Sequence, residues 1–332
     1  MKPFGAKSAV PFVLAAVLGL CACGNTAPTV SAINVEKELA ERFSITDSNK
    51  YLLDDSLQDV YKKEEKDGVS IEVLQVIAYD SMLRYLAKVT FDEELVKPDE
   101  MESVGIKCNI SAENRMFLYG PSSWETTKRK DEKNSVIYIC TNLFDKPEIE
   151  EGMVLNFFVT EVYQRIEDIP PEALDENGGL REGFEMEKTI WKAEEPLAVS
   201  WTVEKLGRSI ETEIDNEDVT DGKISLTPMY VHVWANGSNY IPYFYSDILS
   251  GNEDMNYFYK SYLRETFFRK VRLKHKDGYY IDSFTNVSPD IYRLGDTMGS
   301  FNVLKPFFIP IDPDLVDSVE IMGVNYDLKS KE

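Results

Sequence analysis

From Gly68 onward the apolar positions fall every second residue. In GVSIEVLQVIAYD, Val69, Ile71, Val73 and Gln75 alternate with Ser70, Glu72 and Leu74. After a break at Asp80-Ser81, the same period returns with Leu83, Tyr85, Ala87 and Val89. A period of two is that of a pleated strand, so the spacing predicts a β-hairpin turning at Asp80-Ser81. Similar runs predict strands near 104–110, 116–119, 136–140, 153–165, 197–203, 223–234, 267–273, 279–283, 301–309 and 316–326. Thr220-Asp221-Gly222, Asn236-Gly237, Asp277-Gly278 and Met322-Gly323 punctuate the later runs. Glycine at such a turn accepts the positive φ that tight hairpins require.

Upstream of Gly68 the period is helical. Asn34 is placed to cap a helix over 35–43, and Leu53, Leu57 and Val60 share one side of a second short helix over 52–63. Two segments break the pattern. Residues 126–135, TTKRKDEKNS, carry six charges and are expected to form a solvated loop. Residues 166–187 are acidic and hold Pro170, Pro171, Gly178, Gly179 and Gly183, which points to a linker or long loop. Residues 252–264 suit one helix or an ordered insertion.

Many short strands with few helices predict a mainly β fold of tandem immunoglobulin-like β-sandwiches with a short helical N-terminal appendage. The expected layout is a leader over 1–22, a tether over 23–33 and the appendage over 34–64. The first sandwich then spans 65–190, with the acidic linker at its end, and the second spans 191–330. No sequence repeat is visible.

The first residues address the compartment. Lys2 and Lys7 precede an apolar stretch from Ala9 to Leu20, about a dozen residues, too short to cross a membrane. Leu20-Cys21-Ala22-Cys23-Gly24 resembles a bacterial lipobox, with Leu and a small Ala ahead of the acceptor Cys23. Such a resemblance implies cleavage before Cys23 and a diacylglycerol thioether on its sulfur. The protein is then lipid-anchored on the extracytoplasmic face of the cell membrane. Cys21 is the weaker acceptor, because Leu20 would then occupy the position that takes a small residue.

Charge narrows the partners. With 36 Lys+Arg against 58 Asp+Glu, the 332-residue chain carries −22. Removing 1–22 leaves 310 residues and, with Lys2 and Lys7 gone, takes −22 to −24. So acidic a body has no basic face to displace counterions from nucleic acid. It is also repelled by an anionic membrane, so a lipid anchor is what would hold it near the surface.

Catalytic motifs are missing. There is no Gly-x-Ser-x-Gly elbow, and the two histidines, His232 and His275, lack an evident nucleophile partner. His232 lies in a predicted strand and suits a structural role, and His275 adjoins a turn where solvent is expected. Spacing for zinc is absent, and no cofactor is implied. Asp175, Glu176 and Asn177 superficially suggest a calcium loop, but Met186 stands where a glutamate ligand is needed. Asp215, Glu217, Asp218 and Asp221 make a second acidic loop, unremarkable in a chain of this charge. Among so many acids a glycosidase carboxylate pair cannot be picked out.

Two features remain as candidate sites. Cys108 and Cys140 lie in predicted strands, and an exported chain permits a disulfide between them. Equally, they suit two buried thiols packed as small hydrophobes, the reading preferred because no spacing or motif forces pairing. The densest aromatic cluster comprises Tyr240, Tyr243, Phe244, Tyr245, Tyr257, Tyr259 and Tyr262. It is the candidate contact surface for a glycan or envelope protein, or else core of the second sandwich.

The order of landmarks carries a resemblance. Tyr51 to Val60, DGVSIEVLQVIAYD, LRYLAKVTF, IEEGMVLNFFVTEVY and LAVSWTVEKL are followed by DGKISLTPMYVHVW, RLKHKDGYYID and FIPIDPDLVDSVEIMGVNYDL. Across most of residues 50–328 this order resembles the extracytoplasmic region of a Gram-positive family of unknown function. That family has paired immunoglobulin-like domains found in anti-sigma-factor-like membrane proteins. The resemblance implies tandem sandwiches and a surface role, with no catalytic residues. The chain departs from the family in its lipobox and in lacking a cytoplasmic segment, so it is not expected to clamp a sigma factor itself. The expected function is non-catalytic: binding, sensing or scaffolding in the envelope, with a glycan-binding module or a surface hydrolase as the alternatives.

Overall fold

The computed structural model describes residues 31–97, 103–112, 115–116, 127–130, 134–144, 149–166, 169–170, 173–175, 179–181, 184–214, 221–236, 271–281, 292–294, 301–307, 309–321 and 324–328. Residues Ser31–Glu332 belong to one compact unit. None of the described helices is long and apolar enough to cross a membrane.

The N-terminal segment is less helical than its spacing predicts. Helix α1 spans Lys37–Arg42 with Glu36, not Asn34, at its N-cap, and a 3-10 turn covers Lys50–Leu53. In place of a second helix lies strand β1, Leu57–Lys66. Its register slips between Asp59 and Lys62, where Tyr61 has φ of 44°. Leu53 ends the 3-10 turn, Leu57 opens the strand and Val60 sits in the bulge, so the helix-like spacing joins three different local structures. Asp67 and Gly68, with φ of 50° and 78°, form the two-residue turn that pairs Lys66 with Val69. The first sandwich therefore begins at Leu57 rather than 65.

Strands β2 (Val69–Tyr79) and β3 (Met82–Phe91) form the expected hairpin around Asp80-Ser81. They are followed by β4 (Val104–Ala112), β5 (Arg115–Met116), β6 (Thr127–Lys130), β7 (Ser135–Leu143), β8 (Val154–Arg165) and β9 (Glu187–Thr202). Among the described residues one sheet runs β1-β2-β3-β7-β6, and the facing sheet runs β5-β4-β8-β9. Their inner faces share one core, in which Ile71, Tyr85, Val89 and Cys140 meet Ile110, Phe157, Val159 and Trp201.

Three expectations change here. Thr127–Lys130, expected as loop, is an edge strand on β7; lysines and arginine on an edge oppose pairing with other chains. The acidic segment 166–187 is not an inter-domain linker, because β8 and β9 pair directly across it. The same pairing puts Leu197 to Thr202, expected to open the second domain, in the last strand of the first. The boundary thus falls after Thr202 rather than at 190.

The second sandwich comprises β10 (Ile210–Glu213), β11 (Asp221–Leu226), β12 (Tyr230–Asn236), β13 (Val271–His275), β14 (Tyr280–Ile281), β15 (Tyr292–Leu294), β16 (Phe301–Pro306), β17 (Val316–Ile321) and β18 (Val324–Asp327). Its sheets run β10-β11-β12-β16-β15 and β14-β13-β17-β18. Add nine to each strand number of the first sandwich and the order of the second results. Among the described residues the chain is thus a nine-strand arrangement used twice, a duplication invisible in the residues themselves. The predicted run over 223–234 is two strands joined at Thr227-Pro228-Met229. The Thr227 hydroxyl oxygen accepts from the amides of Met229 and Tyr230, closing the turn. Asp221-Gly222, expected as a turn, opens β11 instead. At Asp277-Gly278 the expected turn is present, with Gly278 at φ 90° and its amide donated to the His275 carbonyl.

Candidate functional site

Within the first sandwich's β1-β2-β3-β7-β6 sheet, the central strands β2, β3 and β7 are apolar on both faces. Inward residues of β7 are Val136, Tyr138 and Cys140, while Ile137 and Ile139 point outward and are also buried. β2 and β3 repeat this with Ile77, Tyr79, Met82 and Leu86 on the outer face. Strands that read as continuous apolar runs need cover on both sides. The cover comes from two directions: Leu39, Phe43, Ile45 and Leu53 from the N-terminal segment, and Met229, Tyr230 and Leu304 from the second sandwich. Each such side chain, fully buried, contributes about 1.5–3 kcal/mol. One buried layer therefore joins the appendage and both sandwiches.

Polar groups fix the register of that layer. Gln75, 0% exposed, accepts the Glu36 amide at 2.7 Å and donates to the Asn34 carbonyl at 2.8 Å and to Asp59 at 2.6 Å. Arg84, also 0% exposed, lies with its guanidinium carbon 4.0 Å from the Phe43 ring centroid. Tyr61 donates to Glu36, which together with its carboxylate neighbours raises the phenol to about 12. Lys205, in the connection between sandwiches, donates to the Asp54 carbonyl at 3.0 Å.

At the junction, Tyr79 and Tyr230 meet edge to face with centroids 5.7 Å apart. Tyr230 donates to Asp80 Oδ1 at 2.7 Å, and Tyr51 donates to Asp312 Oδ2 at 3.1 Å. Burial, more than any charge, raises the Tyr79 and Tyr230 hydroxyls; Tyr51 rises to about 12 through burial and then Asp312. Gly207 forms a bridge with Tyr79, its amide donating to the Ala78 carbonyl at 2.9 Å. A Cβ there would stand 2.2 Å from the Tyr79 ring. Only glycine lets the connecting chain lie this close.

Of the residues singled out from sequence, Cys23 and the Tyr240, Tyr243, Phe244, Tyr245, Tyr257, Tyr259 and Tyr262 cluster lie outside the described residues. In this structure Cys108 and Cys140 carry reduced thiols. Both face the first core from opposite sheets. Burial pushes the Cys108 thiol well above its ordinary range, with Cys140 adding to it. Tyr85, between the sheets, is raised by burial and then by both thiols.

His232 is buried in β12, and His275 is stacked on Tyr279 with centroids 4.4 Å apart, rather than solvated. Asp175 closes its own turn by accepting the Gly179 amide at 2.8 Å, which commits one carboxylate oxygen of the superficial calcium loop. Among the described residues no group of three or more His, Cys, Asp or Glu side chains could hold a metal ion. On the second sandwich, Arg272 and Tyr280 both donate to Glu320, and the guanidinium carbon lies 4.0 Å from the Tyr280 ring centroid. The Tyr280 and Arg272 hydrogen bonds hold the Glu320 carboxyl below its ordinary value.

Gln75, Arg84, Phe43 and Gly207 were not anticipated. The signal for the first two was present: each is a polar residue inside a run too apolar for a one-sided strand.

No family model matches the chain, and no curated protein matches it. Among solved structures, the chain is similar to that titled "The crystal structure of the conserved domain protein from Bacillus anthracis". Identity is 11%, the TM-score is 0.41, and the match covers 79% of this chain and 75% of that one.

Proposed function

We propose that the chain is a lipid-anchored extracytoplasmic protein with a non-catalytic binding, sensing or scaffolding role in the envelope. The observation that carries the role is the buried layer. The N-terminal segment Leu39–Leu53 packs against the same sheet face as Met229, Tyr230 and Leu304 of the second sandwich. The point at which the chain enters the fold, near Ile33, and any contact surface on the second sandwich therefore keep a fixed relation. That is a property of a spacer or presenting scaffold, and one a flexible pair of domains lacks. The location rests on Leu20-Cys21-Ala22-Cys23-Gly24 and the apolar stretch before it. The tandem sandwiches are in keeping with the resemblance to paired surface domains.

The test is Cys23→Ala in a producing bacterium, followed by fractionation and fatty-acid labelling. Release of the variant from membranes and loss of label are expected. A variant that stays on the membrane as the parent does, with neither labelled, sinks the anchor. Crosslinking on intact cells with the parent chain should capture an envelope protein or glycan.

A further inference from the structure

We propose that Cys108 and Cys140 are a cross-linking pair, joined by a disulfide when the chain folds in an oxidising compartment. The proposal deepens the extracytoplasmic reading and rests on it for the compartment alone; the pairing rests on strand register. On β4, Cys108 is paired with Val159 and Ile110 with Phe157, so Cys108 and Phe157 occupy successive inward positions. A bulge at Thr160 of β8, whose hydroxyl donates to the Lys107 carbonyl at 3.2 Å, sets Cys108 on that inward line. On β7, Cys140 is the cross-strand neighbour of Tyr85. The Tyr85 and Phe157 rings touch across the core, with centroids 5.4 Å apart. Cys140 is thus directly beside, and Cys108 diagonally beside, one contact between the two sheets. Their electrostatic effect on Tyr85, and that of Cys140 on Cys108, agrees with this placement.

Burial also decides when the bond can form. The thiolate is the nucleophile, and burial keeps Cys108 protonated in the folded chain. Oxidation therefore belongs to folding, before the core closes over the thiols. One cysteine thiolate attacks the disulfide of an oxidant, an extracytoplasmic thiol oxidoreductase or glutathione disulfide. It forms a mixed disulfide and expels the first oxidant thiol. The second thiolate attacks the mixed disulfide at the protein sulfur and expels the other. Two electrons pass to the oxidant, which leaves as two thiols carrying the two protons the cysteines lose.

The experiment refolds the full chain carrying Cys21→Ser and Cys23→Ser, which removes the other two thiols, from denaturant in a glutathione and glutathione disulfide buffer. Non-reduced tryptic mapping is expected to give the Cys108 and Cys140 peptides joined, two hydrogens lighter than their sum. Reducing the joined chain should lower its folded-to-unfolded ratio by on the order of 100-fold, and a Cys108→Ala variant should not respond to reductant. Recovery of both cysteines as thiols or as glutathione adducts overturns the pairing. A second arm maps the parent chain from acid-quenched cells. A joined pair there supports both readings. Thiols there, after joining on refolding, count against the compartment and leave the pairing intact.

Discussion

Tyr230 of the second sandwich donates its hydroxyl to Asp80, at the tip of the first sandwich's β2–β3 hairpin, at 2.7 Å. The two residues are 150 positions apart, and their bond closes the rim of the layer that joins the sandwiches. Tyr230→Phe keeps the ring against Tyr79 and removes only this bond. Hydrogen bonds to charged groups contribute about 1.5–3 kcal/mol, so urea unfolding should show a loss in that range. A loss below about 0.5 kcal/mol would mean the bond is replaced by water at no cost.

Gly207→Ala should be far more damaging than alanine usually is in a connection. The added Cβ meets the Tyr79 ring at 2.2 and 2.6 Å and the Ser56 Cβ at 2.8 Å, and Tyr79 is itself buried. Overpacking of this kind costs about 1–3 kcal/mol. The melting temperature should fall accordingly, and Tyr79→Leu in the same chain should restore part of it. Additive losses would contradict the contact.

Phe43→Ala removes the ring that lies over Arg84 and opens the cover of the outer face. A core aromatic truncated to alanine costs about 3–5 kcal/mol, here with a buried guanidinium exposed as well. The loss should be accompanied by faster protease cleavage within residues 31–56, read by mass spectrometry. Unchanged cleavage would place the segment's anchorage elsewhere.

Much of this architecture could be read from the residues. Asp80-Ser81 located a hairpin to the residue, although a bulge between Val73 and Gln75 breaks the period of two in β2 and moves its inner line from Val73 to Val76 and Ala78, leaving Gln75 off it. The tandem β arrangement followed from turn spacing. Long-range choices were not legible: nothing local in Leu197 to Thr202 says that it pairs with β8 rather than opening a new domain. The duplication was hidden because corresponding strands differ in length, 16 residues in β9 against 4 in β18. The joining layer was written in Ile77, Tyr79, Leu86, Ile137 and Ile139, apolar residues on the face a one-sided strand would leave polar. Their partners, Leu39, Phe43 and Tyr230, sit too far along the chain for periodicity to connect them.

Acid should loosen the second sandwich through Glu320. Its folded carboxyl titrates below the ordinary value because Tyr280 and Arg272 hydrogen-bond to the ionised form. The resulting stabilisation is present above the ordinary glutamate range, near 4.3, and is lost as pH falls through the lower folded value. NMR titration of the Glu320 carboxyl should show its midpoint rise toward the ordinary value in Tyr280→Phe. Equal midpoints in parent and variant would remove the hydrogen bond from the account.

The joining layer makes the most direct demand on cooperativity. If it fuses the sandwiches, β3 of the first and β12 of the second should open together. Native-state hydrogen exchange in rising urea reads this strand by strand. The amides of Met82–Phe91 and of Tyr230–Asn236 should converge on one opening free energy with one urea dependence. If Tyr230–Asn236 exchanges through its own opening at lower free energy while Met82–Phe91 stays protected, the two sandwiches are independent and the layer does not join them.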